Sequence, residues 1–331
     1  MDDARQPSGP GDDGGSQGRI GRLLVVGAAL AGGLVAARHL GEARWRRRVA
    51  ERTARLKAAA GASEPEALDA PKSGEILPEA VARYLAFAGV SEALDEVPER
   101  GPLRRARLRQ RGMFRLLDPA KPSAAAWKRF EATQYMSAVP AAFVWDAAVH
   151  MAPAVTVRVC DGFVAGSGAM RAELAALVPL VDATPCAELD AGSLQRFLAE
   201  AVWLPTALQP SPTLRWSPLD DTPDEACVIG GIRPRARATL RSGDTEVTLD
   251  FTFDRRGAVI ETRGLRYRDV RGRAVETPWV CRYFDWVSVG GVRVPRRGEA
   301  AWVLPDADGE LTEQAYWRGR VVELEFDDYA V

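Results

Sequence analysis

The sequence predicts a mainly β protein of the α+β class: a curved antiparallel meander sheet or half-barrel, covered by helices and preceded by an N-terminal membrane helix. Three observations carry this. Between Thr245 and Phe253 the side chains alternate, with Val247, Leu249, Phe251 and Phe253 on one face and Glu246, Thr248, Asp250 and Thr252 on the other, the period of a strand with one dry face. Turn signals separate the strand-like runs: "SGD" after Arg241, "DRRG" at 254–257, "DVRG" at 269–272, Gly290-Gly291, "DADG" at 306–309 and Arg318-Gly319. Consecutive hairpins of this kind make a meander. Finally, residues 23–37 (LLVVGAALAGGLVAA) are uncharged and apolar, and are bounded by Arg22 and Arg38.

From the N-terminus, residues 1–18 are rich in Gly, Pro, Asp and Ser and read as a disordered tail. Residues 19–40 read as a transmembrane anchor. At about 1.5 Å per residue the apolar stretch is short for a hydrocarbon core of roughly 30 Å, and snorkelling of Arg22 and Arg38 makes up the deficit. A cleaved signal peptide ending at the small residues Val35, Ala36 and Ala37 is the alternative, but the arginines that follow suit an uncleaved anchor better. A buried helix of a soluble domain is the third reading. It fits poorly beside a disordered tail, because the stretch is apolar all round.

Residues 41–74 combine a basic juxtamembrane stretch (Arg44, Arg46, Arg47, Arg48, Arg52, Arg55 and Lys57) with a linker over 58–74. By the positive-inside rule this places the body in the cytoplasm, with the basic stretch against anionic headgroups. Residues 75–331 form a single large β-rich domain. It opens with "LPEAVARYLAFAG", where Pro78 suits a first turn, Val81, Tyr84, Leu85 and Ala88 make a stripe and Gly89 closes the helix. Phe143, Trp145, Ala147, Val149 and Met151 then alternate with Val144, Asp146, Ala148 and His150. About eleven or twelve strands follow from this pattern, split by a helix around 193–204.

That helix has two faces. With Arg196 at zero, Glu200 and Trp203 project to the same side, and Leu194, Phe197, Leu198 and Ala201 to the other. Asp190 or Ser193 can cap its start, and Pro205 ends it. An exposed Arg–Glu pair contributes only about 0.3–0.5 kcal/mol. The tryptophan beside it implies instead that a second layer covers this face and that the pair anchors backbone groups.

The sequence excludes several function classes. A net charge of −1 over 331 residues, 47% of them apolar, describes a globular core former without global attraction to nucleic acid. Cys160, Cys186, Cys227 and Cys281 contain no C-x-x-C pair, so no zinc ribbon or redox motif is written here, although one or two disulfides remain open. His39 and His150 are the two histidines. No metal site and no cofactor is predicted, and a catalytic histidine would have to be His150.

Several blocks mark a family. They are "LPEAVARYLAFAG", "RGMFRL", W-x-x-F-x-A-x-Q at 127–134, "AFVWDA" at 142–147, "DGFVAGSGAM" at 161–170, "RFLAEAVWLPTAL" at 196–208, "LRWSPLD" at 214–220, "FTFDRRG" at 251–257, "TPWVCRY" at 277–283 and "GVRVP" ending at Pro295. Over residues 77–327 the chain resembles a bacterial family of unknown function. That resemblance implies membership and no mechanism. The order of elements also resembles lipoprotein-carrier half-barrels, in which a curved sheet wraps helices around an apolar cavity. This likeness is architectural, and it places the body outside the inner membrane, in conflict with the charge asymmetry.

Three readings of function follow. In the first, a membrane-anchored β domain without enzymatic activity binds a lipid, a lipidated partner or another apolar ligand in its concave face. The nine tryptophans suit such a pocket, with Trp145, Phe143, Trp203, Arg196 and Glu200 as candidate ligand contacts. In the second, a hydrolase uses Glu200, Asp161 and His150, with Asp146 nearby. The third is a structural or interaction module whose protein partner the sequence does not specify. The glycines around Asp161-Gly162 and Gly166-Ser167-Gly168 match no phosphate or nucleophile motif and read as a hairpin.

Overall fold

The computed structural model describes residues 14–62, 77–90, 103–115, 126–224 and 231–326, without the side chains of 14–32, 34 and 224. A long helix α1 (Gly14–Ala62) and a short one, α2 (Glu79–Ala88), precede the sheet. The first limb contains β1 (Arg105–Phe114), β2 (Lys128–Ser137), β3 (Ala142–Ala152), β4 (Val155–Val164), β5 (Ser167–Leu174) and β6 (Val178–Asp182). Helix α3 (Ala187–Glu200) and two 3-10 turns, Ala201–Trp203 and Pro205–Leu208, follow. The second limb contains β7 (Leu214–Asp224), β8 (Gly231–Ser242), β9 (Thr245–Phe253), β10 (Val259–Val270), β11 (Arg273–Val289), β12 (Val292–Pro305) and β13 (Leu311–Phe326).

All thirteen described strands share one antiparallel sheet that is not closed, in the order β6-β5-β4-β3-β2-β1-β13-β12-β11-β10-β9-β8-β7. Each limb is a meander, and the two join where β1 pairs with β13. Its curvature follows from α3, which touches β3, β4 and β5 on one limb and β8, β9 and β10 on the other. In a flat sheet, with strands about 4.8 Å apart, β5 and β9 would lie roughly 40 Å from each other. A helix about 10–12 Å across reaches both only because the sheet curls around it.

The inner face supplies the main core. Along β3 it presents Phe143, Trp145, Ala147 and Val149, all buried, and along β9 Val247, Leu249, Phe251 and Phe253. Against it pack Leu194, Phe197 and Leu198 of α3 and the stripe Val81, Tyr84, Leu85 and Ala88 of α2. Tyr84 sits 6.0 Å from Phe253 and 6.3 Å from Trp286, ring centre to ring centre. Gly89 ends α2 in the left-handed region, at φ 74°, as the sequence predicts.

The outer face of β3 and β4 carries a second, smaller core beneath α1. Trp45 and Leu56 are fully buried there against Val144 and Cys160. Trp45 Nε1 donates to Asp146 Oδ1 at 2.9 Å, Arg158 donates to both Asp146 oxygens at 3.0 Å, Arg48 pairs with Glu173 at 2.9 Å, and Arg52 Nη1 donates to Cys160 Sγ at 3.5 Å. Burial raises the Asp146 carboxyl above its ordinary range, and Arg158 and Trp45 hold it back. Trp45→Phe removes part of a fully buried indole and, with its N–H, a hydrogen bond to a charged acceptor that alone is worth about 1.5 kcal/mol. Faster amide exchange across residues 41–60, with exchange in β9 unchanged, is the expected result.

Several expectations are corrected. Residues 14–18 belong to α1, whereas 1–13 lie outside the described residues. The side chains of the apolar stretch are described only at 33 and 35–37, and no helix among the described residues is long and apolar enough to cross a membrane. One side of the basic stretch docks on the sheet, where Arg48 pairs with Glu173 and Arg52 donates to Cys160. The linker begins no earlier than residue 63, since α1 continues to Ala62. Cys186, not Asp190 or Ser193, occupies the N-cap of α3. Asp190 lies in the first turn and accepts from the backbone N–H of Gly168 at 2.6 Å, tying α3 to β5. Arg318-Gly319 is no turn. It lies inside β13, where Gly319 faces Gly112 of β1 and Gly298 of β12.

Candidate functional site

The curl leaves the concave face incompletely filled. A cavity of about 560 Å³ lies between α3 and the inner face, spanning β1 to β6 on one side and β10 to β13 on the other. Its walls are aromatic: Trp145, Trp203, Trp279, Trp302, Tyr316 and Trp317 all line it. Val157, Val159, Met170 and Ala172 complete the apolar wall. At one rim runs the edge strand β6, whose Leu180 and Val181 line the cavity while remaining exposed.

The helix 3-10 junction explains why Arg196, Glu200 and Trp203 share this space. Pro205 removes a backbone donor and disfavours helical geometry at Leu204, and the chain tightens at Ala201–Trp203. Trp203 is thereby buried, with Nε1 donating to the Pro295 carbonyl at 2.8 Å. All three side chains line the cavity.

Arg196 stands at the centre of a connected polar chain. Its Nη1 donates to Asp161 Oδ2 at 2.6 Å and its Nε to Glu200 Oε1 at 2.9 Å. Glu200 Oε2 accepts from Gln134 Nε2 at 2.6 Å, Gln134 Oε1 accepts from Gln110 Nε2 at 3.3 Å, and Gln110 Oε1 accepts from Trp145 Nε1 at 2.8 Å. The guanidinium also lies 4.9 Å from the ring centres of both Phe143 and Trp145. Burial alone would lower the Arg196 pKa; Glu200 and Asp161 outweigh it and raise it above the ordinary value. This is a cation locked between two carboxylates.

The candidate residues therefore divide. Trp145, Trp203, Arg196, Glu200 and Asp161 line the cavity, while Phe143 lies behind it as the platform beneath Arg196. His150 does not join them. It is exposed on the other face of β3, 3.5 Å from Thr156 Oγ1, because side chains one residue apart on a strand point to opposite faces. Asp146 shares that outer face with Trp45 and Arg158. The acid–base group of Asp146, His150, Asp161 and Glu200 is thus split by the sheet itself.

Cys281 also lines the cavity, and burial pushes its thiol above the ordinary value, away from the thiolate a nucleophile needs. Cys160, Cys186 and Cys281 are free thiols. Cys227 lies outside the described residues. Among the described residues no three His, Cys, Asp or Glu side chains converge as metal ligands.

Sequence reasoning missed Gln110, Gln134, Arg266 and Tyr316. For Gln134 a signal exists, since it interrupts the apolar set Phe130, Ala132 and Met136 on one face of β2. Arg266 stands beside Gly264 and Arg268 in a stretch of β10 with no clean apolar alternation, so nothing in the sequence marks it as inward-facing.

No curated protein matches the chain. A crystal structure of a beta-barrel-like protein of domain of unknown function DUF1849, from Brucella abortus, is 9% identical, covering 68% of this chain and 99% of its own, with a TM-score of 0.23. At that score the likeness carries no argument about this fold. Residues 75–326, the whole sheet together with α2 and α3, match the model described as "Family of unknown function (DUF6920)", and the chain belongs to that family.

Proposed function

We propose that the domain binds an apolar ligand, such as a lipid, in the concave face of its sheet and catalyses no reaction. One observation carries this reading: the aromatic-lined cavity of about 560 Å³ beneath α3. Its size falls within the roughly 300–1,000 Å³ of small-molecule sites, and its make-up, apolar walls with few polar groups, is that of such sites. A packed core would leave few voids larger than a water molecule. The exposed Leu180 and Val181 at the β6 rim give an apolar approach from solvent. The connected Arg196 chain, in this reading, stiffens the wall.

The test uses the full chain. Solvent extracts of protein purified gently from its host are expected to contain close to one apolar molecule per chain, and stripped protein to take up a fluorescent fatty acyl probe with quenching of tryptophan emission. Ala300→Phe, which projects a ring from β12 into the cavity, should block uptake while the far-ultraviolet spectrum is preserved. Empty extracts together with no uptake by the stripped protein would overturn the reading.

A further inference from the structure

We propose that the ligand is a single-chain amphiphile with a carboxylate head, its acyl chain along the tryptophan wall and its head held by Arg266 and Tyr316. This deepens the preceding reading and rests on it.

The charges facing the cavity are Lys128, Asp161, Arg196, Glu200, Arg266 and Glu299. Arg196 has two carboxylate counter-ions in Asp161 and Glu200, and Glu299 pairs with Arg318 at 2.6 Å. Arg266 differs. Its Nε donates to the Gly192 carbonyl at 2.9 Å and its Nη1 reaches the Tyr316 hydroxyl at 3.5 Å, while no described carboxylate forms an ion pair with it. The guanidinium is held against the faces of Trp279 and Trp302, 4.7 and 5.7 Å from their ring centres. Three of its five N–H groups are left without a protein acceptor among the described residues.

Tyr316 adds a further donor. Its hydroxyl oxygen accepts from Trp279 Nε1 at 3.0 Å and faces Arg266, so its own proton is not used in those contacts. Burial holds the phenol protonated. Two more cations have no described carboxylate partner: Arg268 neighbours the same Trp302 ring, and Lys128 lines the same cavity. Arg268 lies 6.0 Å from the Trp302 ring centre, and its buried Nε has no hydrogen-bond partner; Lys128 Nζ donates to the Met151 carbonyl at 2.9 Å.

A half-buried cation without a counter-ion is costly, and stacking on tryptophan offsets only part of that cost. An anion supplied by the ligand offsets the rest. The planar fork of a guanidinium matches a carboxylate through paired N–H···O bonds, and the Tyr316 proton is placed to make a third. A neutral lipid would leave these donors unmatched.

Lipid-stripped full-length protein is titrated with palmitate, hexadecanol and hexadecyl phosphate, following tryptophan fluorescence, alongside Arg266→Gln and Arg266→Lys. Palmitate is expected to bind at least about tenfold tighter than hexadecanol, the worth of one charge-assisted hydrogen bond or more. That ratio should fall to near one in Arg266→Gln and be partly restored in Arg266→Lys, with hexadecanol affinity constant across all three. Equal binding of palmitate and hexadecanol to the unaltered protein would overturn the anionic head and leave the apolar pocket standing, and this comparison needs no variant to fold. Tighter binding of hexadecyl phosphate would overturn the carboxylate assignment. Binding of none of the three would remove the pocket reading itself.

Discussion

Arg196→Ala is expected to destabilise the domain by about 3–5 kcal/mol, the cost of leaving buried charges without their counter-ion. Asp161, Arg196 and Glu200 have side chains only 15%, 13% and 15% exposed, so water cannot readily replace the guanidinium. Two carboxylates would then face each other against Phe143 and Trp145. Glu200→Gln should cost less, about 1–2 kcal/mol, because Asp161 still compensates Arg196 and an amide can still accept from Gln134. Urea unfolding monitored by tryptophan fluorescence measures both. A loss below about 1 kcal/mol for Arg196→Ala would place the cluster among solvated surface pairs. Replacing all three residues by apolar ones of similar volume should recover most of the loss, since the burden lies in unmatched charge more than in missing attraction.

Gly112→Ala is expected to be comparably severe. Gly112, Gly319 and Gly298 stand side by side across β1, β13 and β12, forming a groove in the inner face for the indoles of Trp317 and Trp203. A Cβ on Gly112 would run into the Arg318 carbonyl oxygen, with Phe130 Cε1 at 2.7 Å and Gly319 Cα at 2.9 Å. Two of those three atoms are backbone and cannot swing aside, so the strands themselves must part. We expect a loss of roughly 3 kcal/mol, the upper end of overpacking costs. Gly298→Ala is the control: its nearest neighbours are side-chain atoms of Trp317 and Trp203 at 3.2–3.4 Å, and about 1 kcal/mol should suffice. Similar midpoints for the two variants would show that the groove is not set by backbone approach.

How far the fold is legible varies with the kind of signal. In β9 one face is dry and the other wet, and the alternation states its register outright. α2 is equally plain because Pro78, an apolar stripe and Gly89 agree. At Arg318-Gly319 the same glycine vocabulary misleads: the residue is there for an indole lying over it, a contact made by strands far apart in sequence. For α1 the charge run reads as a solvated or headgroup-facing surface, and nothing local reveals that Trp45 finds Asp146 across a hundred residues. The site shows the same limit. The spacing of Arg196, Glu200 and Trp203 announces a covered face, and the polar positions Gln110, Gln134 and Arg266 emerge only when separate strands are brought into register.

The pairing of β1 with β13 bears on the order in which the chain can assemble. The two outer strands, β6 and β7, are neighbours in sequence, while the seam at the middle of the sheet joins its earliest strand to its latest. Each meander can form from local hairpins as it leaves the ribosome, but the first must wait with β1 uncovered until the last has been made. Such a distant contact carries a large loop-closure entropy and slows folding. During that wait the bare edge of β1 is open to wrong partners. The alternating arginines Arg105, Arg107, Arg109 and Arg111 along β1 are the kind of charge that discourages such pairing before Glu323 and Glu325 of β13 arrive to meet Arg109 and Arg107.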